Sequence, residues 1–303
     1  MIPYYLLLPL AAAVIYSLGS VIVKRALKEG VSMDQSFHLT NLAVGLLFLP
    51  LLLFENNAID WSKVWRPLLM GSLFFIGNWL TFLAIKRGDV SLVTPIMGTK
   101  VIFVAVALVL LRGVSPSPAL WLAALMTPVG ILVMSVAELK KGQHFLFTVG
   151  VTLASAAVFG FCDVLVNWWA VDFGAMTFLA IGSIAVAALS FVMWLLQGRP
   201  SMNLDPKLAK WAFGGAILIG LQAIAIGMAL GFFDDATGVN VVYASRGLWV
   251  IILVVVFGAK LGNNEHQERA GAFRWRVIGT VILTAAIVIA VIDRASAAAV
   301  NLI

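Results

Sequence analysis

The stretches VTPIMGTKVIF (residues 93–103) and VNVVYASRGLW (residues 239–249) are the most informative parts of the sequence, because they are distant from each other in the chain and match. Both stretches are apolar. Each holds a single cation, Lys100 in the first and Arg246 in the second, with an aromatic residue three positions later. Aliphatic matches arise easily by chance, whereas a matched cation followed by a matched aromatic residue is harder to dismiss. The two stretches therefore indicate an internal repeat.

A second match lies near the start of each half of the chain. Residues 10–16 (LAAAVIY) align with residues 153–159 (LASAAVF), so that an aromatic residue again ends both segments. Together the matches predict two related domains, residues 1–142 and residues 143–303. Transporter folds often consist of two such repeats, with the substrate site at their interface.

The composition predicts that lipid solvates most of this chain. Hydrophobic residues make up 62% of the 303 residues, charged residues only 11%, and the mean hydropathy is +1.04. A soluble domain needs about a quarter of its residues charged. The net charge of +6 does not predict a nucleic-acid partner, because the basic residues lie mostly in short loops beside apolar segments. The single cysteine, Cys162, excludes a disulfide framework and a cysteine-based metal site.

Apolar windows of about 20 residues predict ten transmembrane helices, because backbone groups in lipid must be hydrogen-bonded within their own segment. The predicted spans are Tyr4 to Leu27, Phe37 to Phe54, Pro67 to Ile85, Val90 to Leu111, Ala119 to Ala137, Phe147 to Trp169, Ala175 to Leu196, Trp211 to Phe233, Gly238 to Gly258 and Trp275 to Ile292.

The chain resembles the drug/metabolite transporter superfamily, specifically its EamA-like branch. The local similarity lies in VKRAL at the exit of the first helix (residues 23–27) and in LAIKRGDVSLVTP between the third and fourth helices (residues 83–95). The resemblance implies an all-α membrane protein of the cell inner membrane, with two five-helix inverted-topology repeats around a central cavity. Helices one to four and six to nine would line that cavity.

Two features depart from the family pattern. Residues 55–66 carry two acids and two bases where the family has an arginine-rich connection, and residues 111–115 (LRGVS) lack the acid that often follows the fourth helix. Lys and Arg concentrate in the connection after the first helix and in every second connection from there, which predicts termini outside the cytoplasm. The family resemblance implies cytoplasmic termini, so both orientations remain open.

Lys100 and Arg246 are the principal candidate site residues. A cation at the middle of a membrane helix costs about 2.5 to 3.5 kcal/mol on insertion scales, so it is expected to face a wet cavity or a partner. Both cations should point to one central site, where they would bind the carboxylate, phosphate or sulfonate of a small anionic substrate. Among the superfamily's plastid sugar-phosphate antiporters the pattern looks similar, although Ser245 stands where those tend to have a second base.

Asp163, in the sixth predicted helix, has several open interpretations. It could neutralise one cation in a buried ion pair, or it could bind a proton and couple transport to a proton gradient. Alternatively, it could recognise the positive charge of an amphipathic or cationic compound that the protein exports.

The remaining candidate substrate-binding residues have weaker signals. Tyr243 and Trp249 lie three residues before and after Arg246 and so share its helical face, and Phe103 is the aligned counterpart of Trp249. Asn78 could bind substrate or connect helices. Pro95 removes a backbone donor from the fourth helix and is a candidate hinge.

Motifs for nucleotide binding, zinc-dependent hydrolysis and serine nucleophiles are absent from the sequence, so no enzyme, metal or cofactor is predicted. The function predicted is secondary active transport of a small, anionic organic metabolite by alternating access, with exchange or a coupling proton supplying the energy. The partners expected are that substrate and the bilayer, with the protein a monomer or a homodimer. A cation exporter and a non-transporting scaffold or lipid-handling enzyme are the alternatives.

Overall fold

The computed structural model describes residues 3–55, 59–87, 93, 96–136, 145–257 and 272–300. These residues form helices and connecting turns, with no strand among them. The helices are α1 (Leu7–Lys28), α2 (Met33–Phe48), α3 (Trp65–Arg87), α4 (Lys100–Arg112), α5 (Pro118–Ser135), α6 (Phe145–Phe173), α7 (Ala175–Leu196), α8 (Pro206–Phe232), α9 (Ala236–Tyr243), α10 (Arg246–Phe257) and α11 (Ala272–Val300).

Local chemistry explains several helix ends that apolar windows misplace. Helix α2 begins four residues before its predicted span, at Met33, because the Ser32 side chain accepts a hydrogen bond from the Gln35 backbone while Gln35 bonds back to Ser32. Pro206 follows the capping Asp205 and starts α8 well before the predicted Trp211.

Eight helical segments of the described chain are long and apolar enough to cross a membrane. Large apolar side chains are exposed along them, as expected of a lipid-facing surface. The prediction of an all-helical, multi-pass chain is confirmed. The fourth and ninth predicted spans differ from the others, because the helices described there are shorter and begin at a turn within the span.

The contacts between helices are reciprocal across the two halves. Helix α1 packs on α8, and α3, the third helix of the first half, packs on α6, the first helix of the second half. Helix α2 contacts α7, and α5 contacts α11. This exchange of partners is the pattern that related halves would produce, although the ten-helix, two-repeat arrangement itself stays a prediction.

Glycines allow α5 and α11 to approach closely. A Cβ atom at Gly279 of α11 would lie 2.5 Å from the Gly130 carbonyl oxygen of α5, inside any allowed contact distance. Small residues let backbones approach in this way in membranes, where apolar burial contributes little to helix association.

Candidate functional site

The two matched cations occupy the same local position in the structure. Lys100 is the first residue of α4 and follows a turn at residues 98–99, and Arg246 is the first residue of α10 and follows a turn at residues 244–245. Both cations therefore lie where a helix begins inside an apolar segment.

The backbone hydrogen bonds at the two turns join matching positions. The Thr99 amide donates to the Ile96 carbonyl at 3.0 Å, and the matched Ser245 amide donates to the Val242 carbonyl at 3.1 Å. The Thr99 carbonyl then accepts from the amides three and four residues later, as does the Ser245 carbonyl. The sequence match thus extends to backbone geometry.

Lys100 is paired with Asp163. Its Nζ lies 2.6 Å from Oδ2 of Asp163, and the exposed fractions of the two side chains are only 12% and 9%. The same ammonium lies 5.9 Å from the centre of the Phe159 ring, one helical turn before Asp163 on α6. Of the interpretations open for Asp163, the buried ion pair is the one whose geometry is present.

Arg246 has a different environment. Its guanidinium carbon lies 4.9 Å from the centre of the Tyr16 ring and 4.7 Å from that of Tyr243. Within the described part of the chain, no carboxylate lies within ion-pair distance of it. Its backbone carbonyl accepts a hydrogen bond from the Ser17 hydroxyl at 2.9 Å, which attaches the start of α10 to α1.

Both cations approach one ring. The Lys100 ammonium lies 5.8 Å from the centre of the Tyr243 ring, on which the Arg246 guanidinium also lies. The Tyr243 hydroxyl donates to Oε1 of Gln222 at 2.7 Å, so the ring is held by α8. We call this group the central cluster; its members are Tyr16, Lys100, Phe159, Asp163, Tyr243 and Arg246.

Trp249 and Ser245 contribute polar atoms without a protein partner beside the central cluster. Trp249, like Tyr16, packs against the buried group formed by Ala12, Ala13 and Tyr243, and its indole Nε1 is buried without a hydrogen-bond acceptor. Ser245 is 1% exposed, and its hydroxyl likewise lacks a partner. Buried polar groups are ordinarily hydrogen-bonded, so these two are available to a ligand.

The other sequence candidates lie in different surroundings. Phe103 packs against Gly160 of α6, and a Cβ atom added at Gly160 would lie 2.7 Å from the Phe103 Cβ. Phe103 therefore forms part of the close contact between α4 and α6 next to Lys100. Asn78 donates to Oδ1 of Asn41 at 3.3 Å, within a hydrogen-bonded group that connects α2, α3 and α7. Pro95 lies outside the described residues.

Sequence reasoning missed Tyr16 and Phe159 as site residues. They are the aromatic residues that end the aligned segments 10–16 and 153–159, so the signal was present in the repeat. Their contacts are also exchanged: Tyr16 of the first half lies against Arg246 of the second, and Phe159 of the second half lies against Lys100 of the first.

A second polar group joins the two halves at the end of the bundle where α1 begins. Arg112, at the end of α4, donates to Asp234 at 2.5 Å and to the Asn167 side chain at 2.8 Å. The Tyr5 hydroxyl donates to Asp235 at 2.6 Å, and the same carboxylate pairs with Arg294. We call it the terminal cluster; its members are Tyr5, Arg112, Asn167, Asp234, Asp235 and Arg294.

Comparison with known proteins finds one family whose model matches part of this chain. Residues 3–136 match the profile of the EamA-like transporter family, which belongs to the drug/metabolite transporter superfamily. The family resemblance predicted from the sequence is confirmed over this range. With the apolar helices, it identifies a multi-pass membrane protein.

One solved crystal structure is similar to this chain along almost its whole length. It covers 96% of this chain and 97% of its own, with a TM-score of 0.75 and 18% sequence identity. At that identity the similarity establishes the fold alone. No curated protein matches the chain in sequence.

Proposed function

We propose that this chain, whose residues 3–136 are EamA-like, is a secondary transporter of the inner membrane that moves a small organic anion by alternating access. The observation that carries the proposal is the charge of Arg246, which has no carboxylate partner among the described residues and lies in a cluster to which helices from both halves contribute. The match of residues 3–136 to a transporter family supports transport rather than catalysis. The substrate class rests on the cluster.

The proposal includes the two inverted repeats, residues 1–142 and 143–303. Three observations support them: the exchanged helix contacts, the corresponding hydrogen bonds at the two turns, and the reciprocal pairing of each cation with an aromatic ring from the other half. In transporters of this kind, interrupted helices form the substrate site near the middle of the bilayer.

Arg246 is suited to an organic anion. A guanidinium donates two parallel hydrogen bonds to a carboxylate, phosphate or sulfonate, and the low dielectric of a membrane interior strengthens each of them. The Trp249 indole on the same helix and the Ser245 hydroxyl in the turn before it are further donors. Tyr16 and Tyr243 hold the guanidinium in place before the ligand arrives.

Alternating access requires contacts that close one end of the protein and then break. The terminal cluster meets that requirement, because Arg112 and Tyr5 belong to the first half and their partners Asn167, Asp234 and Asp235 belong to the second. Rocking of the halves would separate these pairs and open a route from this end to the central cluster. Exchange of substrates or a proton on Asp163 would supply the energy.

A ligand-stability screen tests the proposal. Purified protein is heated with acetate, benzoate, methanesulfonate or methyl phosphate, and with ethylamine or benzylamine as cations, while its unfolding midpoint is recorded. Ligands that bind the folded state raise the midpoint. We expect organic anions to raise it in wild type and in Lys207→Ala, which removes an exposed cation at the start of α8, but not in Arg246→Ala.

The outcomes separate the alternatives. Stabilisation by amines alone, lost in Asp163→Asn, would support the cation exporter and contradict the anion site. An Arg246-dependent response to anions without exchange of radiolabelled benzoate or acetate in proteoliposomes would support a non-transporting binding protein.

A further inference from the structure

We propose that the central cluster selects substrates with one negative charge, and that Asp163 is the residue that sets this selectivity. The inference rests on the proposed function, since it assumes that the anion binds at Arg246. It goes further by naming the charge of the substrate and the residue that determines it.

The charge balance of the central cluster carries the inference. Lys100 and Asp163 lie 2.6 Å apart and cancel each other, with each side chain about nine-tenths buried. Arg246 then leaves one positive charge, because in the described part of the chain no acid pairs with it. Although the sequence presents two cations, only one is available to a ligand.

A second negative charge on the ligand would have no partner at this site. To supply one, Lys100 would have to leave Asp163, which would strand a carboxylate in a poorly solvated position. Leaving the second charge unpaired is unfavourable for the same reason. A monoanion is the ligand for which every charge in the central cluster is balanced.

The surroundings of Arg246 indicate the shape of the anionic group. Tyr16 and Tyr243 supply ring surface beside the guanidinium, and Trp249, packed against the same buried group as Tyr16, carries a further donor in its Nε1 atom. This combination suits a planar carboxylate attached to an apolar or aromatic body. The substrate class inferred is a monocarboxylate.

Matched ligand pairs that differ by one charge test the selectivity directly. Monomethyl terephthalate and terephthalate are nearly the same size, as are monomethyl succinate and succinate, and near neutral pH the half-ester of each pair carries one negative charge while the diacid carries two. The apparent dissociation constant of each is measured from the shift in the unfolding midpoint. In wild type we expect each half-ester to bind about tenfold more tightly than its diacid.

Two variants assign the selectivity to Asp163. In Asp163→Asn, Lys100 is released and the cluster carries two positive charges, so the preference should disappear or reverse. In Lys100→Gln/Asp163→Asn the net charge returns to that of wild type, and the preference for the half-ester should return whatever happens to the absolute affinity. The double variant also avoids stranding a buried cation.

The selectivity is contradicted if wild type binds the diacids more tightly than the half-esters, or if the ratio of the two affinities is unchanged in Asp163→Asn. If Arg246→Ala nevertheless abolishes binding of these anions, the proposed anion site survives. Binding of neither member of any pair to wild type overturns both proposals. The wild-type ratio needs no variant, so the inference stays testable if Asp163→Asn does not fold.

Discussion

Tyr16 lies against Arg246, with 4.9 Å between the ring centre and the guanidinium carbon, so an aromatic residue of the first half holds the free cation of the second. A cation over an aromatic face gains about 0.5 to 2 kcal/mol, depending on how well it is desolvated. The Ser17 hydroxyl, on the next residue, hydrogen-bonds the Arg246 carbonyl. Helix α1 therefore fixes both the backbone and the side chain of Arg246.

Replacement of Tyr16 by leucine should weaken binding of organic anions without removing the charge that binds them. Loss of about 1 kcal/mol of cation–π energy corresponds to roughly a fivefold weaker affinity for benzoate. Tyr16→Phe keeps the ring and should lose less. Titration of unfolding midpoints measures both variants. Equal losses in the two would show that the hydroxyl, rather than the ring, matters.

Lys100→Ala should destabilise the folded protein more than Lys100→Ala/Asp163→Asn does. The single variant leaves a carboxylate that is about nine-tenths buried without its partner, which costs about 3 to 5 kcal/mol in comparable pairs. The double variant removes both charges and so avoids that cost. Thermal unfolding in detergent compares them. A double variant less stable than the single one would mean that Asp163 has a compensating partner other than Lys100.

Much of the central cluster could be predicted from the sequence, and what could not be predicted has physical reasons. The match of Lys100 with Arg246 and of Tyr16 with Phe159 depends on residue type at a fixed spacing, which the sequence records directly. Which cation Asp163 neutralises depends on the register between α6 and α4, and a single sequence carries no such information. The turn before Arg246 was also missed, because Ala244 and Ser245 are compatible with a continuous apolar helix.

Opening of the terminal cluster can be followed with a cysteine placed between it and the central cluster. Ala13, on α1, lies between Tyr5 and Tyr16 in the sequence and is fully buried. In an Ala13→Cys/Cys162→Ser background, Arg112→Ala should increase the rate of labelling by a small methanethiosulfonate reagent about tenfold, because it removes the hydrogen bonds from Arg112 to Asn167 and Asp234 that join the halves.

A matched control for that measurement is Lys63→Ala in the same background. Lys63 is an exposed cation that pairs with Asp60 near the start of α3 and takes no part in the terminal cluster. It should leave the labelling rate unchanged. Identical rates with and without Arg112 would contradict a gating role for the terminal cluster and leave it a structural contact.

Gly160 provides a test of how closely α4 must approach α6 for Lys100 to meet Asp163. A Cβ at this position would lie 2.7 Å from the Phe103 Cβ and 3.0 Å from the Val104 amide nitrogen, so Gly160→Ala must push the helices apart. We expect a loss of about 1 to 3 kcal/mol in stability, together with weaker binding of anions. Gly150→Ala, in the same helix with open space around it, should instead be neutral or raise the stability by up to about 1 kcal/mol. Thermal unfolding and benzoate titration are measured for both variants, so that a packing effect at the site is separated from a general effect of alanine in α6. Equal stability and equal benzoate affinity in the two variants would contradict the close contact between α4 and α6.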